Sequence, residues 1–131
     1  IPLFGKLAKK VGTIAVDREN GAKSLMNAVG KVEKAIANGH PVIIFPEGTR
    51  AAYGVFSPLK RGISLFYKKA GCPVVPVVHN AGRFWPRRGF IKKPGTIVVK
   101  FLDPIATGLS KDEFMDKLNA TFCSEIKKLE G

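Results

Sequence analysis

Apolar positions along this chain switch between a helical and a strand period. Leu25, Val29, Val32 and Ile36 recur at the spacing that lays one apolar stripe along a helix. Asn20 stands where a cap belongs, and Asn38-Gly39 is a stop signal, so a helix is expected between them. Thr13-Ile14-Ala15-Val16 before it is a short β-prone run. Pro41-Val42-Ile43-Ile44-Phe45 after it is continuously apolar, as a strand covered on both faces would be. An irregular loop, 46–58, leads to a second helix over Leu59 to Ala70, with Ile63, Phe66, Tyr67 and Ala70 inward and Gly71 ending it. Val74 to Val78 reads as another buried strand. A loop rich in arginine and aromatics, Asn80 to Pro94, separates it from a strand over Thr96 to Leu102. Ser110 with Glu113 three residues on is a capping box. It opens a last helix with the stripe Phe114, Leu118, Phe122, Ile126 and Leu129.

Strands alternating with helices predict an α/β fold, a mostly parallel or mixed sheet flanked by helices, in a single domain over residues 1–131. Ligands of such sheets bind beyond the carboxyl ends of the strands. Two unusual loops leave strand ends here, Asp17-Arg18 and Pro46-Glu47-Gly48-Thr49-Arg50.

Composition narrows the class. The chain is 45% apolar and 24% charged over 131 residues, which excludes disorder and collagen-like repeats. Its apolar runs fall well short of the roughly 20 residues of a membrane-spanning helix. No secretory pattern opens it, and it begins at Ile1 rather than Met, so a fragment or processed product is expected. Cys72 and Cys123 form no metal-ligand spacing and are expected as free thiols.

Charge changes the picture more. Lys and Arg number 22 against 10 Asp and Glu, a net charge of +12. No acidic residue lies between Glu47 and Asp103, a stretch that holds eleven basic ones. Such a field recruits anions: nucleic acid, an anionic membrane or a phosphorylated metabolite. In Phe45-Pro46-Glu47-Gly48-Thr49-Arg50 the proline ends a strand and Gly48 permits a positive φ or close backbone approach. Arg50 offers a planar fork suited to phosphate or carboxylate. Glu47 could hold an arginine or accept a substrate hydroxyl; a plain turn with a surface ion pair accounts for the same residues.

That hexapeptide resembles the third signature block of the glycerolipid acyltransferases, the lysophosphatidic acid acyltransferase family. Gly12-Thr13-Ile14-Ala15-Val16-Asp17-Arg18 resembles the second block and Val75-Pro76-Val77-Val78 the fourth, in the family's order. Leu59-Lys60-Arg61-Gly62 and Arg83-Phe84-Trp85-Pro86-Arg87 also look like bacterial members. The resemblance implies a glycerol-3-phosphate acyltransferase-like fold. It implies transfer of an acyl group from acyl-CoA or acyl carrier protein to 1-acylglycerol 3-phosphate, giving phosphatidic acid, with no cofactor or metal. By match, Arg18 grips the acceptor phosphate, and Glu47 and Gly48 shape the acceptor site with Thr49, Arg50 near the phosphate and Lys60. Pro76 helps form the acyl-donor side.

The family's first block, a His followed five residues later by an Asp, supplies the general base. Here Phe45 stands five residues after His40, and Phe84 five after His79. The catalytic pair is therefore expected upstream of Ile1, and the chain alone is expected to be inactive. His40 reads as a turn residue. His79 ends a strand on the basic side.

Arg83, Phe84, Trp85, Arg87 and Arg88, with Lys92 and Lys93 beyond, mix rings and cations in the manner of a contact with an anionic membrane. Single-stranded nucleic acid, or aromatics anchored in a core, would use the same residues. The expected partners are lysophosphatidic acid, an acyl thioester and an anionic membrane surface, with acyl carrier protein as a further possibility and nucleic acid not expected. The expected location is the cytoplasmic face of the inner membrane, peripheral or anchored by residues upstream of Ile1. A basic nucleic-acid-binding or phospholipid-sensing module without catalysis is the competing reading.

Overall fold

The computed structural model describes residues 12–14, 21–49, 52–86 and 89–130. Its contacts divide the chain into two compact units, Ile1–Ile43 and Ile44–Gly131.

The first unit contains helix α1, Gly21–Ala37. The predicted stripe is its inner face: Val29 and Val32 are buried together with Ala28, and Leu25 and Ile36 are half-buried. Its end shows why Asn38-Gly39 stops a helix. Gly39 takes φ +76°, its N–H donates to Ile36 O at 2.9 Å, and the His40 N–H donates to Ala35 O at 3.0 Å. This left-handed cap satisfies two carbonyls the helix would leave open. His40 is an exposed turn residue in it.

The second unit runs through helix α2 (Gly62–Ala70), strand β1 (Val77–His79), the one-turn helix α3 (Ala81–Phe84), strand β2 (Val99–Phe101) and helix α4 (Lys111–Glu130). Helix α2 ends on Gly71 at φ +59°. It begins later than the apolar pattern suggests, because Leu59 is buried in the core from a non-helical position ahead of it. The capping box at α4 is formed: the Ser110 N–H donates to Glu113 Oε2 at 2.7 Å, and the Glu113 N–H to Ser110 Oγ at 3.2 Å.

The expectation of a mostly parallel or mixed sheet is corrected. The sheet formed by the described residues has two strands, and they are antiparallel, Val77 facing Phe101 and His79 facing Val99. The connection between them holds only a one-turn helix. The 80–98 connection is long enough for a crossover, but it doubles back on itself, the Lys93 N–H donating to Phe84 O, and so returns the chain beside β1 in the opposite direction. The pairing continues through Leu102 N–H to Pro76 O and ends at the Val74–Ile105 bridge. One extra residue is accommodated on the β2 side between those two points, as in a bulge.

The Pro41–Phe45 run is likewise not the buried strand its composition suggests. It pairs with no described strand, and Ile43 and Phe45 are exposed. An apolar run is buried in a sheet only where neighbours take up its backbone groups and layers cover its faces, and none of the described strands does so. Thr13 and Ile14 are also in no ladder, and the rest of that β-prone run, Ala15 and Val16, lies outside the described residues with Asn20.

The core of the second unit is Leu59, Tyr67, Ile105, Phe114 and Leu118, with Phe56, Ile63, Val74, Leu109, Met115 and Phe122 packed around it. Helices α2 and α4 meet through the stacked rings of Tyr67 and Phe114, whose centroids are 4.0 Å apart.

Candidate functional site

Four of the residues singled out in the sequence, Glu47, Gly48, Thr49 and Lys60, share one small region at the entry to α2. Pro46 and Glu47 are the central residues of a tight turn, closed by the Gly48 N–H donating to Phe45 O at 3.1 Å. Proline at the second position and glycine at the fourth are the residues such a turn favours. Gly48 itself has φ +65°. The Lys60 N–H donates to Pro46 O at 2.9 Å and fixes the turn to the residues that lead into α2. The Lys60 side chain passes over the glycine: a Cβ at position 48 would stand 3.5 Å from Lys60 Cγ and 3.8 Å from its Cε. The turn therefore presents a short stretch of bare backbone beside a lysine stem, with Thr49 exposed at its exit.

Glu47 is half-buried in this turn. Burial pushes its carboxyl above the ordinary range, and the nearby His79 acts in the opposite direction. The sequence placed His79 on the basic side at the end of a strand but did not link it to Glu47. That link crosses 32 residues and depends on how β1 lies against the turn. The His79 ring is held in part by its own backbone, with the Ala81 N–H donating to Nδ1 at 3.2 Å.

Pro76 is buried at the edge of the β1–β2 pairing, three residues before His79, and its carbonyl accepts the Leu102 N–H at 3.0 Å. Arg18 and Arg50 lie outside the described residues, as do Arg87 and Arg88. Among the described residues no group of three or more His, Cys, Asp or Glu side chains could hold a metal ion. Cys72 and Cys123 are free thiols.

The basic and aromatic loop is a closed excursion. The Trp85 N–H donates to Ala81 O at 2.8 Å, and the Lys93 N–H donates to Phe84 O at 2.9 Å. Phe84 is its inner anchor: the ring packs on Gly95, where any Cβ would collide with it. Arg83 is exposed and lies 5.9 Å from the centre of the Phe84 ring. Trp85 is exposed, with Lys92 Nζ 4.7 Å from its ring centre. Asn80 fastens the base of the loop, accepting the Val98 N–H on Oδ1 at 2.8 Å. No described helix is long and apolar enough to cross a membrane.

Residues 1–80, which include the turn and the entry to α2, match the family described as Acyltransferase. A 1-acyl-sn-glycerol-3-phosphate acyltransferase of Pseudomonas aeruginosa is 38% identical over 99 residues, covering 76% of this chain and 38% of that protein. A protein of the same name from Haemophilus influenzae is 32% identical over 134 residues, covering 96% of this chain and 52% of the relative. Another from the plant Limnanthes alba is 31% identical over 119 residues, 90% of this chain and 41% of the relative. The chain thus spans about two-fifths to one-half the length of these curated relatives. No solved structure matches it.

Proposed function

This chain belongs to the acyltransferase family, and we propose that it supplies the acceptor-binding part of an enzyme that acylates 1-acylglycerol 3-phosphate to phosphatidic acid. The observation that carries this reading is the Pro46–Thr49 turn fixed on Lys60, whose side-chain stem lies against Gly48, within the family match. A phosphomonoester needs fixed cationic donors. Lys60 provides a point charge, and Arg18 and Arg50, by their place in the family's blocks, provide planar forks that bind phosphate through paired hydrogen bonds. By its place in the family's third block, Glu47 accepts the acceptor hydroxyl or holds an arginine, beside the Gly48 backbone and the Lys60 stem that lies against it.

In the reaction the acceptor hydroxyl oxygen attacks the thioester carbonyl, the new C–O bond forms and the C–S bond breaks. The hydroxyl proton passes to a base and then to the leaving thiolate. Neither histidine of this chain stands five residues before an aspartate, so its share of the work is binding and orientation. The donor is an acyl-CoA or an acyl carrier protein thioester, on the side of the sheet marked by Pro76. The enzyme works at the cytoplasmic face of a membrane, where lipid acceptor and soluble donor meet.

Calorimetric titration with a short-chain 1-acylglycerol 3-phosphate tests this. Arg18→Ala and Lys60→Ala are each expected to weaken binding by on the order of tenfold, the loss of a hydrogen bond to a charged group. Binding of 1-acylglycerol without its phosphate as tightly as the phosphorylated lipid would overturn the reading. Competition by acyl-CoA against acyl carrier protein thioester identifies the donor.

A further inference from the structure

The loop between α3 and β2 carries an apolar tip that the acceptor site does not use. Past its closed neck, Phe90 and Ile91 protrude with 101% and 80% of their surface exposed, and Trp85 with 60%. The tip is shaped by its own backbone: the Gly89 N–H donates to Pro86 O at 3.3 Å. Phe84 anchors the loop inward on Gly95, so the outer rings are free of any part in the core. Lys92 lies over the Trp85 ring, and Arg83 and Lys93, at the two ends of the excursion, are exposed with it. The tip's sequence neighbourhood, between Glu47 and Asp103, contains no acid.

We propose that Trp85, Phe90 and Ile91 enter the interface of an anionic phospholipid bilayer, with Arg83, Lys92 and Lys93 on the headgroups. The proposal rests on the lipid-substrate reading only in expecting a membrane to be the surface nearby; its physical basis is the loop itself. An isolated pair of fully exposed apolar side chains is stabilised by leaving water, and a collar of cations without a compensating acid selects an anionic surface. Charge complementarity disfavours a second copy of the chain, because two loops of the same sign in molecules of net charge +12 repel. Nucleic acid fits the cations but not Phe90 and Ile91 together, since Ile91 offers no face for a base to stack on and Lys92 already lies over Trp85. Phe84, placed with these residues by the sequence pattern, packs on Gly95 and anchors the loop rather than facing the lipid.

Trp85 is the chain's single tryptophan and reports on the tip directly. The intact chain is titrated with vesicles of phosphatidylcholine alone and of phosphatidylcholine mixed equally with phosphatidylglycerol. Trp85 emission shifts to the blue on the anionic vesicles and is quenched by lipids brominated in the acyl chain. The double variant Phe90→Ser with Ile91→Ser lowers the partition coefficient by on the order of tenfold or more. Lys92→Ala and Lys93→Ala each lower it roughly fivefold on anionic vesicles. Circular dichroism and the titration with the short-chain soluble acceptor show that the variants remain folded. Unchanged vesicle binding in the Phe90 and Ile91 variant would overturn the proposal, as would a Trp85 shift produced by an oligonucleotide or by self-association and not by vesicles. Loss of soluble-acceptor binding in wild type with vesicle binding intact would instead overturn the acyltransferase reading and leave the tip standing.

Discussion

Tyr67 joins three parts of the second unit through one side chain. Its ring stacks on Phe114, its hydroxyl donates to Ala106 O at 2.7 Å, and the same oxygen accepts the Leu109 N–H at 3.0 Å. Tyr67→Phe keeps the ring contact and leaves a part-buried N–H and a carbonyl unpaired. It should destabilise the protein by about 1–3 kcal/mol in urea unfolding, with the far-ultraviolet spectrum preserved. Glu47 carries the opposite sign. Because its carboxyl is pushed above the ordinary range, mainly by burial, the protonated form is favoured in the folded state. The associated stability is fully present below the ordinary carboxylate pKa and is lost as the pH rises through the raised value. Glu47→Gln should therefore leave stability at neutral pH equal to or above wild type and flatten this part of the pH dependence, as measured by urea midpoints across the acidic range. A clear loss at neutral pH would mean that the carboxylate is held by a structural cation instead.

At the scale of elements, the second unit depends on α4 lying against α2 and β1. Phe114 and Leu118, four residues apart, form the inner face of α4 and have 0% and 2% of their surface exposed. Phe114→Ala removes a ring from the centre of this contact and should cost about 3–5 kcal/mol. That is a large part of the ~5–15 kcal/mol that holds a domain together, so loss of cooperative melting by circular dichroism is the expected result. The stop signals of α1 and α2 were legible because a left-handed cap needs a residue without a Cβ, and Gly39 and Gly71 are where the apolar periodicities end. Pairing of β1 with β2 was less so. It follows from the 80–98 connection folding back on itself through the Lys93 N–H to Phe84 O bond, a contact between residues whose spacing carries no periodic signal, whereas the strand–helix alternation of the chain as a whole pointed to a crossover.

Across the whole molecule, the excess of positive charge leaves few acids to form ion pairs. The described pairs meet on Glu125 of α4, which takes Lys100 of β2 and Lys128 of its own helix. These two lysines, through hydrogen bonds and Lys100 first, hold the Glu125 carboxyl below its ordinary range. Its contribution to stability is present above the ordinary carboxylate pKa and is lost as the pH falls through the lowered value. Lys100→Met should reduce the acid-side decline of the melting temperature. Salt should shrink the difference between variant and wild type, as it does for exposed pairs. An unchanged acid limb in Lys100→Met would show that the pair does not tie β2 to α4.

The local devices were determined by the sequence itself. Caps at Gly39 and Ser110, the apolar stripes of α1 and α4 and the Pro46–Gly48 turn depend on interactions within a few residues, and those are written in residue type and spacing. Family membership was readable for the same reason, since its blocks are short and contiguous. Tertiary structure decided what depends on neighbours distant in the chain. It paired β1 with β2 antiparallel, left Ile43 and Phe45 exposed, brought His79 within electrostatic reach of Glu47, and turned Phe84 inward while Phe90 and Ile91 face outward. An apolar side chain carries the same free-energy gain on leaving water wherever it lies. Only the packing of the other elements decides whether a core, a sheet partner or an external surface collects it.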